Sequence, residues 1–185
     1  MKENRNKVIL IESLNGVLSL EDIKELEEYV EMDDIQIQVH SYSPRYMNAF
    51  EDLYAQIEII CSQDVLFALF TGVVGSGIYD VIKTFLCKIY SKMKGRHVTK
   101  IQAKKLEEVP INIHFIIGGI KVVLPLDIDD EKYKYFVDKM YESIRDETVT
   151  KKEFCVWNKE TGEVEYYSES EIVRKTYLNS TKKGP

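Results

Sequence analysis

The spacing of hydrophobic and polar residues predicts an alternation of strands and helices. The segment VILIES (8–13) is apolar enough for a buried strand. Residues 35–42, IQIQVHSY, alternate strictly, with Ile35, Ile37 and Val39 on one side and polar residues on the other. Strict alternation is typical of a strand that has only one face in the core. We therefore expect a sheet with one buried face and one less apolar face.

Helices are predicted at 20–32, 44–61, 131–146 and 169–178. Ser19 with Asp22, and Ser168 with Glu171, have the spacing of capping boxes, in which each side chain bonds the backbone N–H of the other residue. Ser43-Pro44 is a further start signal, because proline suits the first position of a helix.

Two hairpins are predicted. In INIHFIIGGIKVVLPL (111–126), Gly118-Gly119 supplies the positive φ angles that a two-residue primed turn needs. The register set by this turn places its paired residues on one apolar face: Ile117 with Ile120, Phe115 with Val122, and Ile113 with Leu124. The second hairpin is formed by EFCVW and EVEYY, which flank NKETG. The apolar face of the first hairpin requires a layer of helices to cover it.

The order of predicted elements is β-α-β-α-α-β-β-α-β-β-α, which indicates the α+β class. We expect a mixed or antiparallel sheet with helices mainly on one face, and a decorated ferredoxin-like layout fits this order. Residues 1–150 are expected to form one domain, to which 151–185 add a hairpin and a short helix. A long central helix or a helical hairpin is expected within 44–94.

The centre of the chain departs from the pattern of the rest. Residues 65–79 are fifteen consecutive uncharged residues, whereas Val81–Leu106 hold eight Lys/Arg and no Asp or Glu. At 1.5 Å per residue, 65–94 can form one helix of about 45 Å. A helical hairpin and a strand–loop–helix are the alternatives. We look for function here, because this segment departs from the rest of the chain and no segment carries the signature of a known reaction.

Small residues recur within the uncharged segment. Ala68, Gly72 and Ser76 lie four apart, and Thr71 with Gly75 forms a parallel row. On a helix, such rows let a second helix approach closely. The glycine spacing matches neither the P-loop nor the dinucleotide-binding pattern. Close helix packing is therefore favoured over the two alternatives, membrane contact and phosphate binding.

The basic residues that follow are candidates for binding an acidic partner: Lys83, Lys88, Lys92, Lys94, Arg96 and Lys100. Nucleic acid is a poor fit, because the chain has 31 acidic against 25 basic residues and few aromatic residues lie among the lysines. The simplest interpretation is a solvated helix face with a lysine-rich end, which suits the helix dipole. The acidic face of helix 20–32 is another candidate partner, within one chain or between copies.

Composition indicates an ordinary globular protein, with 44% hydrophobic and 30% charged residues. Cys61, Cys87 and Cys155 are odd in number and far apart, which favours free thiols in a reducing compartment. The apolar run at 8–11 is shorter than that of a signal peptide. The uncharged segment is also shorter than the roughly 20 residues that span a bilayer. We therefore expect a cytoplasmic protein.

Candidate catalytic residues are few. His40 and His114 lie on the less apolar side of predicted strands, where they can meet across the sheet and pair with a cysteine or a carboxylate as nucleophile and base. Histidines on strands are more often structural, and no local motif supports such a pair. The run from Asp127 to Glu131 lacks the glycine of a calcium loop and is interpreted as a helix start. No spacing indicates a metal or a cofactor.

The succession of elements from residue 8 to 145 resembles the effector-associated constant component domains of bacterial conflict systems. The similarity is carried by LEDIKELEEYV (20–30), IQIQVH (35–40), VVGSGIYDVIKTFL (73–86) and a strand pair ending in VVLPLD (122–127). The heavy use of Lys and Tyr and the C-terminal hairpin depart from it. The resemblance implies an adaptor-like accessory role beside an effector, and it assigns no functional residue.

From these patterns we expect a non-catalytic interaction or adaptor module, an accessory component of a bacterial defence system. It would bind an acidic protein or a second copy of itself, as a homo-oligomer, through 65–105. One alternative is a membrane-associating effector, or its immunity partner, that acts through the apolar segment 65–79 and the basic flank 83–105. The other alternative is an unrecognised nucleotide-binding enzyme.

Overall fold

The computed structural model describes residues 7–30, 35–43, 56–71, 77–102, 105–145 and 153–182. Within these ranges the helices are α1 (Leu20–Val30), α2 (Gln63–Thr71), α3 (Ile78–Met93), α4 (Asp130–Arg145) and α5 (Glu169–Lys182). The strands are β1 (Lys7–Leu14), β2 (Ile35–Tyr42), β3 (Ile57–Cys61), β4 (His97–Gln102), β5 (Lys105–Pro110), β6 (Ile113–Ile117), β7 (Ile120–Val123), β8 (Phe154–Asn158) and β9 (Glu163–Tyr167).

Seven of the described strands form one mixed sheet in the order β2-β1-β3-β6-β7-β8-β9. The β1–β2, β3–β6 and β7–β8 pairs are parallel, and the other pairs are antiparallel. The predicted α+β class with a mixed sheet is confirmed. The ferredoxin-like layout is not adopted. In that layout another strand splits the βαβ unit, whereas β1 and β2 are direct neighbours here.

The core lies between one face of this sheet and the helices. Ile11, Ile59 and Phe115 are neighbours in register across β1, β3 and β6, and each is at most 1% exposed. Burial of each such side chain stabilises the fold by about 1.5–3 kcal/mol. The same core includes buried side chains of α1, α2, α3 and α4, such as Leu26 and Phe85. The expectation of helices mainly on one face is thus confirmed.

Aromatic side chains connect α4 to the sheet and to α3. Phe136 meets Trp157 of β8 edge-on, with ring centroids 6.1 Å apart. Tyr133 stacks on Tyr90 of α3 at 4.0 Å and donates a hydrogen bond of 3.2 Å to the carbonyl of Leu86. The hydroxyl of a buried tyrosine generally needs such a partner. These contacts hold β8 under α4, although the ladder between β7 and β8 has only two residue pairs.

The first predicted hairpin is formed as expected, by β6 and β7. Gly118 and Gly119 have φ angles of 58° and 82°, a conformation in which other residues are strained. The pairs are Ile117 with Ile120 and Phe115 with Val122, and Leu124 N donates to Ile113 O at 2.9 Å. The second hairpin, β8–β9, is also confirmed.

Both capping boxes are present. Asp22 N donates to Ser19 Oγ at 3.0 Å, and Ser19 N donates to Asp22 Oδ2 at 3.1 Å. Ser168 N donates to Glu171 Oε2 at 2.7 Å, and Glu171 N donates to Ser168 Oγ at 3.4 Å. Each pair satisfies backbone N–H groups that the first helical turn leaves without partners.

The helix predicted at 44–61 is wrong at its C-terminal end. Residues 44–55 lie outside the described ranges, and Ile57–Cys61 form β3, in the middle of the sheet. Ile57 and Ile60 have helical spacing, but Ile57, Ile59 and Cys61 alternate as a strand requires. Pairing with β1 and β6 decides between the two periods, because a strand on each side satisfies the backbone N–H and C=O groups of β3. A continuous helical hairpin over 44–94 is excluded by the same strand.

The central region contains two helices, α2 and α3, and not one long helix. α2 begins after Ser62, where Leu66 N donates to Ser62 O at 3.0 Å. α3 has its own start at Gly77, where Val81 N donates to Gly77 O at 2.9 Å. Residues 72–76 lie outside the described ranges. The strand–loop–helix alternative is wrong, because its strand would occupy residues that form α2.

A second correction concerns the basic stretch after α3. Gly95 follows the end of α3, with a φ angle of 76°. No strand was predicted between 94 and 111, but β4 and β5 pair there as a separate antiparallel hairpin. Val98 and Thr99 are β-branched and favour a strand. This hairpin lies outside the seven-stranded sheet.

Candidate functional site

The basic residues of α3 and of the turn after it are paired within the chain. Lys92 Nζ lies 3.1 Å from Asp22 Oδ1 and 2.7 Å from Glu25 Oε2 on α1. Arg96 Nη1 lies 3.2 Å from Asp22 Oδ2 and donates to the carbonyl of Val17 at 3.2 Å. The acidic face of α1 is therefore a partner of this basic segment inside one chain, which was one of the two possibilities that the sequence left open.

Two further lysines bind α4. Lys83 Nζ is 2.5 Å from Asp138 Oδ1, and Lys94 Nζ is 2.9 Å from Asp130 Oδ1. Lys94 also lies 4.9 Å from the centroid of the Tyr90 ring, within cation–π range. These pairs connect α3 to α4 at both ends of the helix.

The two remaining basic candidates are also placed. Lys88 is exposed and its ammonium lies 4.9 Å from the centroid of the Tyr29 ring. Lys100 is in β4, where its backbone is opposite Glu107 of β5. The six basic residues singled out from the sequence thus do not form one continuous surface. They lie along α3 and the first part of the β4–β5 hairpin, and the five whose side chains are described contact acidic or aromatic residues.

The small residues of the uncharged segment are only partly described. Ala68 is half-buried on α2 and packs against the core. Gly72, Gly75 and Ser76 lie outside the described ranges. The close helix packing expected through these residues therefore stays a prediction.

α2 presents aromatic side chains to solvent. Its inner face is formed by Val65, Leu66 and Leu69, each at most 8% exposed. On its outer side, Phe67 is 58% exposed and Phe70 is 36% exposed. Isolated apolar residues on a surface are common, but two aromatic rings on neighbouring turns of a helix without lysine or arginine are a recognisable patch.

Two tyrosines extend this patch toward α3 and α4. Phe70 stacks on Tyr141 with centroids 6.2 Å apart, and Tyr79 lies 4.3 Å from the same ring. Tyr141 donates a 2.8 Å hydrogen bond to the carbonyl of Leu69, and Tyr79 donates to Asp138. Burial, reinforced by the Asp138 carboxylate, raises the pKa of Tyr79, so its hydroxyl keeps its proton. We refer to Phe67, Phe70, Tyr79 and Tyr141 as the aromatic surface.

The other face of the sheet carries a row of ionisable residues. Glu12 of β1 pairs with His40 of β2 on one side and with Glu58 of β3 on the other. Glu58 pairs in turn with His114 of β6. The row His40–Glu12–Glu58–His114, here called the polar row, thus crosses four strands on the face opposite to the helix-covered core. The two histidines are separated by two strands and do not meet.

Glu58 has two basic neighbours on one oxygen. His114 Nδ1 lies 3.6 Å and Lys121 Nζ lies 3.7 Å from Glu58 Oε1. Contact with His114 lowers the pKa of Glu58 most, burial opposes the change, and Lys121 adds to the lowering. The Glu58 carboxyl is therefore held in its charged form.

His114 is unusual for a residue on this face because it is only 1% exposed. Its Nε2 lies 3.3 Å from Asn112 Nδ2, whereas Nδ1 is buried and has no hydrogen-bond partner. With the Asn112 amide donating to Nε2, the ring proton belongs on Nδ1, toward Glu58. The ring therefore supports the charge of Glu58.

The cysteine version of the nucleophile–base pair considered from the sequence is not assembled among the described residues, whereas His114 does lie beside a carboxylate, that of Glu58. Cys61 lies beside Ile9 on the helix-covered face, opposite to the polar row. Burial raises the pKa of Cys61 to about 12 and that of Cys155 to about 12. Thiols with such pKa values are unreactive near neutral pH. Burial also raises the pKa of Cys87.

The sequence pointed to the two histidines but missed the glutamates between them. Glu12 lies within the strand VILIES, and Glu58 was placed on a predicted helix. A strand assignment for IEIIC would have put Glu58 on the polar side of the sheet. The remaining information, that Glu12 and Glu58 are direct neighbours, lies in a pairing between strands that are far apart in sequence.

In the part of the chain that the structure describes, no three His, Cys, Asp or Glu side chains converge where a metal ion could be held. None of the described helices has the length and apolarity to cross a bilayer. The chain matches no protein-family model, no curated protein and no solved structure.

Proposed function

We propose that the protein is a non-catalytic interaction module that associates with a second copy of itself through the aromatic surface. The observation that carries the proposal is the exposure of Phe67 and Phe70 on α2, a helix whose Val65, Leu66 and Leu69 side chains enter the core. Aromatic residues are enriched in protein interfaces because they bury much area at a low cost in side-chain entropy. A homo-oligomer requires no binding surface other than this one.

Charge favours self-association at this position. The chain has a formal net charge of −6, so most surfaces of two copies repel each other. Residues 65–79 carry no charge, and two copies can approach there without such repulsion. A two-fold arrangement, the commonest symmetry of soluble oligomers, would place α2 against α2. The small residues that follow Ala68 would allow the backbones to come close.

An acidic partner, the other candidate from the sequence, has less support. Lys83, Lys92, Lys94 and Arg96 already contact carboxylates of α1 and α4. A new acidic partner would have to replace these contacts rather than satisfy unpaired cations. Surface ion pairs are worth about 0–1 kcal/mol each, so the exchange offers little net gain.

The role of such a module is to hold other components together. The resemblance to effector-associated constant component domains points to an accessory adaptor in a bacterial defence system, and self-association would give the adaptor two copies of any further binding surface. Linked binding surfaces raise the overall affinity without new contacts.

The test is the mass of the protein in solution. The monomer has a mass of 21.6 kDa, and we expect sedimentation velocity from about 1 μM to 1 mM to show a reversible shift toward twice that value. The variant Phe67→Ser with Phe70→Ser should remain monomeric over the same range. Leu106→Ser is the matched control, because Leu106 is 74% exposed on β5 and lies outside the aromatic surface.

Two results would contradict the proposal: a monomeric wild type at every concentration, or a double variant that associates as the wild type does. Circular dichroism of each variant confirms that it is folded. A further variant, Gly72→Leu with Ser76→Leu, tests the small residues separately, and we expect it to weaken association.

The membrane alternative makes a different prediction for the same variants. Exposed aromatic rings on a helix without lysine or arginine are also suited to the interfacial region of a bilayer, and the basic flank 83–105 would face anionic lipid. Flotation with vesicles that contain anionic lipid distinguishes the two. Recovery of the wild type, but not of the Phe67→Ser/Phe70→Ser variant, with the vesicles would support the membrane alternative.

A further inference from the structure

The polar row places two like charges side by side. Glu12 and Glu58 are directly opposite each other in the antiparallel β1–β3 pair. Carbons β of residues paired in this way lie about 4.5–5.5 Å apart, and like charges at that spacing are destabilising. Lys121 offsets the charge of Glu58, whereas Glu12 makes no ion pair with any residue in the described ranges. The pair therefore keeps an excess of negative charge.

One carboxylate oxygen of Glu58, Oε2, is available to a group that is not part of this chain. Both basic neighbours of Glu58 contact Oε1, and Oε2 has no partner among the described residues. The Glu58 side chain is 28% exposed, so a solute can reach it. His114, 1% exposed and with an unpartnered Nδ1, lies behind the carboxylate. Nδ1 lies 3.6 Å from Oε1, so the imidazole closes the inner side of the carboxylate.

Tyr42 is near the other side of the carboxylate pair. It lies on β2 on the same face, next to the position of His40 in the strand. Burial raises the pKa of Tyr42, and the charges of Glu58 and then of Glu12 raise it further, so the phenol lies in the field of both carboxylates. The face therefore combines two charged acceptors with a phenol, whose hydroxyl donates to the carbonyl of Gln56 at 3.5 Å.

We propose that Glu12 and Glu58 together bind a primary ammonium group on the face of the sheet that carries the polar row. An ammonium group carries a compact charge and three N–H donors that point in different directions. It can donate to one oxygen of each glutamate, which removes the repulsion between them. The planar guanidinium group instead favours both oxygens of one carboxylate, and here one oxygen of Glu58 is already used by Lys121 and faced by His114.

The ammonium group can belong to a free amine or to a lysine side chain of a protein. Two probes separate these sources: putrescine for the free amine and Nα-acetyl-lysine methylamide for the lysine side chain. Tetramethylammonium has the charge but no N–H donor, and Mg²⁺ has the charge but requires oxygen ligands in an octahedron. Binding of tetramethylammonium or Mg²⁺ therefore measures attraction by charge alone.

The experiment is a titration followed by ¹H–¹⁵N correlation spectra of the full chain. We expect saturable shifts at Glu12, Glu58 and His114 with at least one of the two primary amines, and at least tenfold weaker binding of tetramethylammonium and Mg²⁺. Glu12→Gln and Glu58→Gln should each weaken binding tenfold or more. Glu163→Gln, the same change at an exposed position of β9, should leave it unchanged.

Two outcomes overturn the proposal. One is binding so weak that no probe saturates below about 10 mM. The other is equal binding of amines, tetramethylammonium and Mg²⁺, which would show attraction by charge without a site. The melting temperature gives an independent check on folded variants, because Glu12→Gln removes one of two like charges that repel each other. Its Tm should be equal to or above that of the wild type, and a clear decrease would show that the two carboxylates do not repel each other.

Discussion

Asp22 is the residue whose replacement tests most directly how the basic segment is held. Its side chain is 8% exposed and accepts from Ser19 N, from Lys92 at 3.1 Å and from Arg96 at 3.2 Å. Burial alone would raise the pKa of Asp22. The hydrogen bonds from Ser19 and from the two cations outweigh burial, and the net pKa lies well below the usual value. We predict that Asp22→Asn destabilises the fold by about 2 kcal/mol.

The predicted loss of stability combines the weakening of three contacts with the relief of the desolvation cost of the buried carboxylate, which opposes it. Hydrogen bonds to charged groups contribute about 1.5–3 kcal/mol and neutral ones about 0.5–1.5, so making Asp22 neutral costs roughly 1 kcal/mol at each of the three contacts. Lys92 keeps Glu25 at 2.7 Å, and Arg96 is 43% exposed and regains water. Removing a buried carboxylate also relieves its desolvation cost, by an amount on the order of 1 kcal/mol.

The assay is urea denaturation followed by far-ultraviolet circular dichroism at pH 7, with Glu21→Gln as the control. Glu21 is the neighbouring acid in the first turn of α1 but is exposed, so its replacement should cost less than about 0.5 kcal/mol. A variant Asp22→Asn that is no less stable than Glu21→Gln would refute the reasoning.

The pH dependence gives a second check on Asp22. Because its folded pKa is depressed, its contribution is complete above the unfolded value near 3.9 and is lost as pH falls toward the folded value. The difference in stability between wild type and Asp22→Asn should therefore be constant from pH 7 to about 5. It should then shrink below about pH 4. A difference that instead vanished between pH 7 and 5 would contradict the assignment.

Three shorter predictions follow from other parts of the fold. Gly119→Ala should destabilise by about 1–2 kcal/mol in urea melts, because the φ angle of 82° is strained for residues with a Cβ. Burial raises the pKa of Cys61 and of Cys155 to about 12, so neither should react with a thiol reagent at pH 8 until the chain is unfolded; fast labelling of the native protein at either residue would contradict this. Tyr133→Phe should lower stability by about 0.5–1.5 kcal/mol through the lost bond to Leu86 O, and an unchanged urea midpoint would argue against that bond.

Features that depend on neighbouring residues could be predicted from the sequence. The Gly118-Gly119 turn fixed the register of β6 and β7 because the turn leaves only one way to pair the residues beside it. The box of Ser19 and Asp22 fixed the start of α1 for a similar reason, since both partners lie within one helical turn.

Features that depend on pairing between segments far apart in the sequence could not be predicted. Ile57–Cys61 satisfies both a helical and a strand period, and its position between β1 and β6 selects the strand. β4 and β5 were missed because their lysines suggested a solvated, lysine-rich helix end, while their pairing is a property of the hairpin as a whole.

The candidate site also has parts that could be predicted from the sequence and parts that could not. The lysines could be recognised from composition, but their partners on α1 and α4 could not, because Asp22 is 70 positions from Lys92. The polar row was visible only as His40 and His114. Its two glutamates become neighbours through the register of β1 with β3, which no local pattern specifies.

The chain has one tryptophan, Trp157, and it lies on β8, which joins the rest of the sheet through two residue pairs. The natural fluorophore thus reports on the seam where the outer hairpin meets β7 and α4, and not on the central strands. If this seam opens first, emission will change at a lower urea concentration than circular dichroism does. A fluorescence midpoint taken alone would then underestimate how firmly the remaining five strands of the sheet are held.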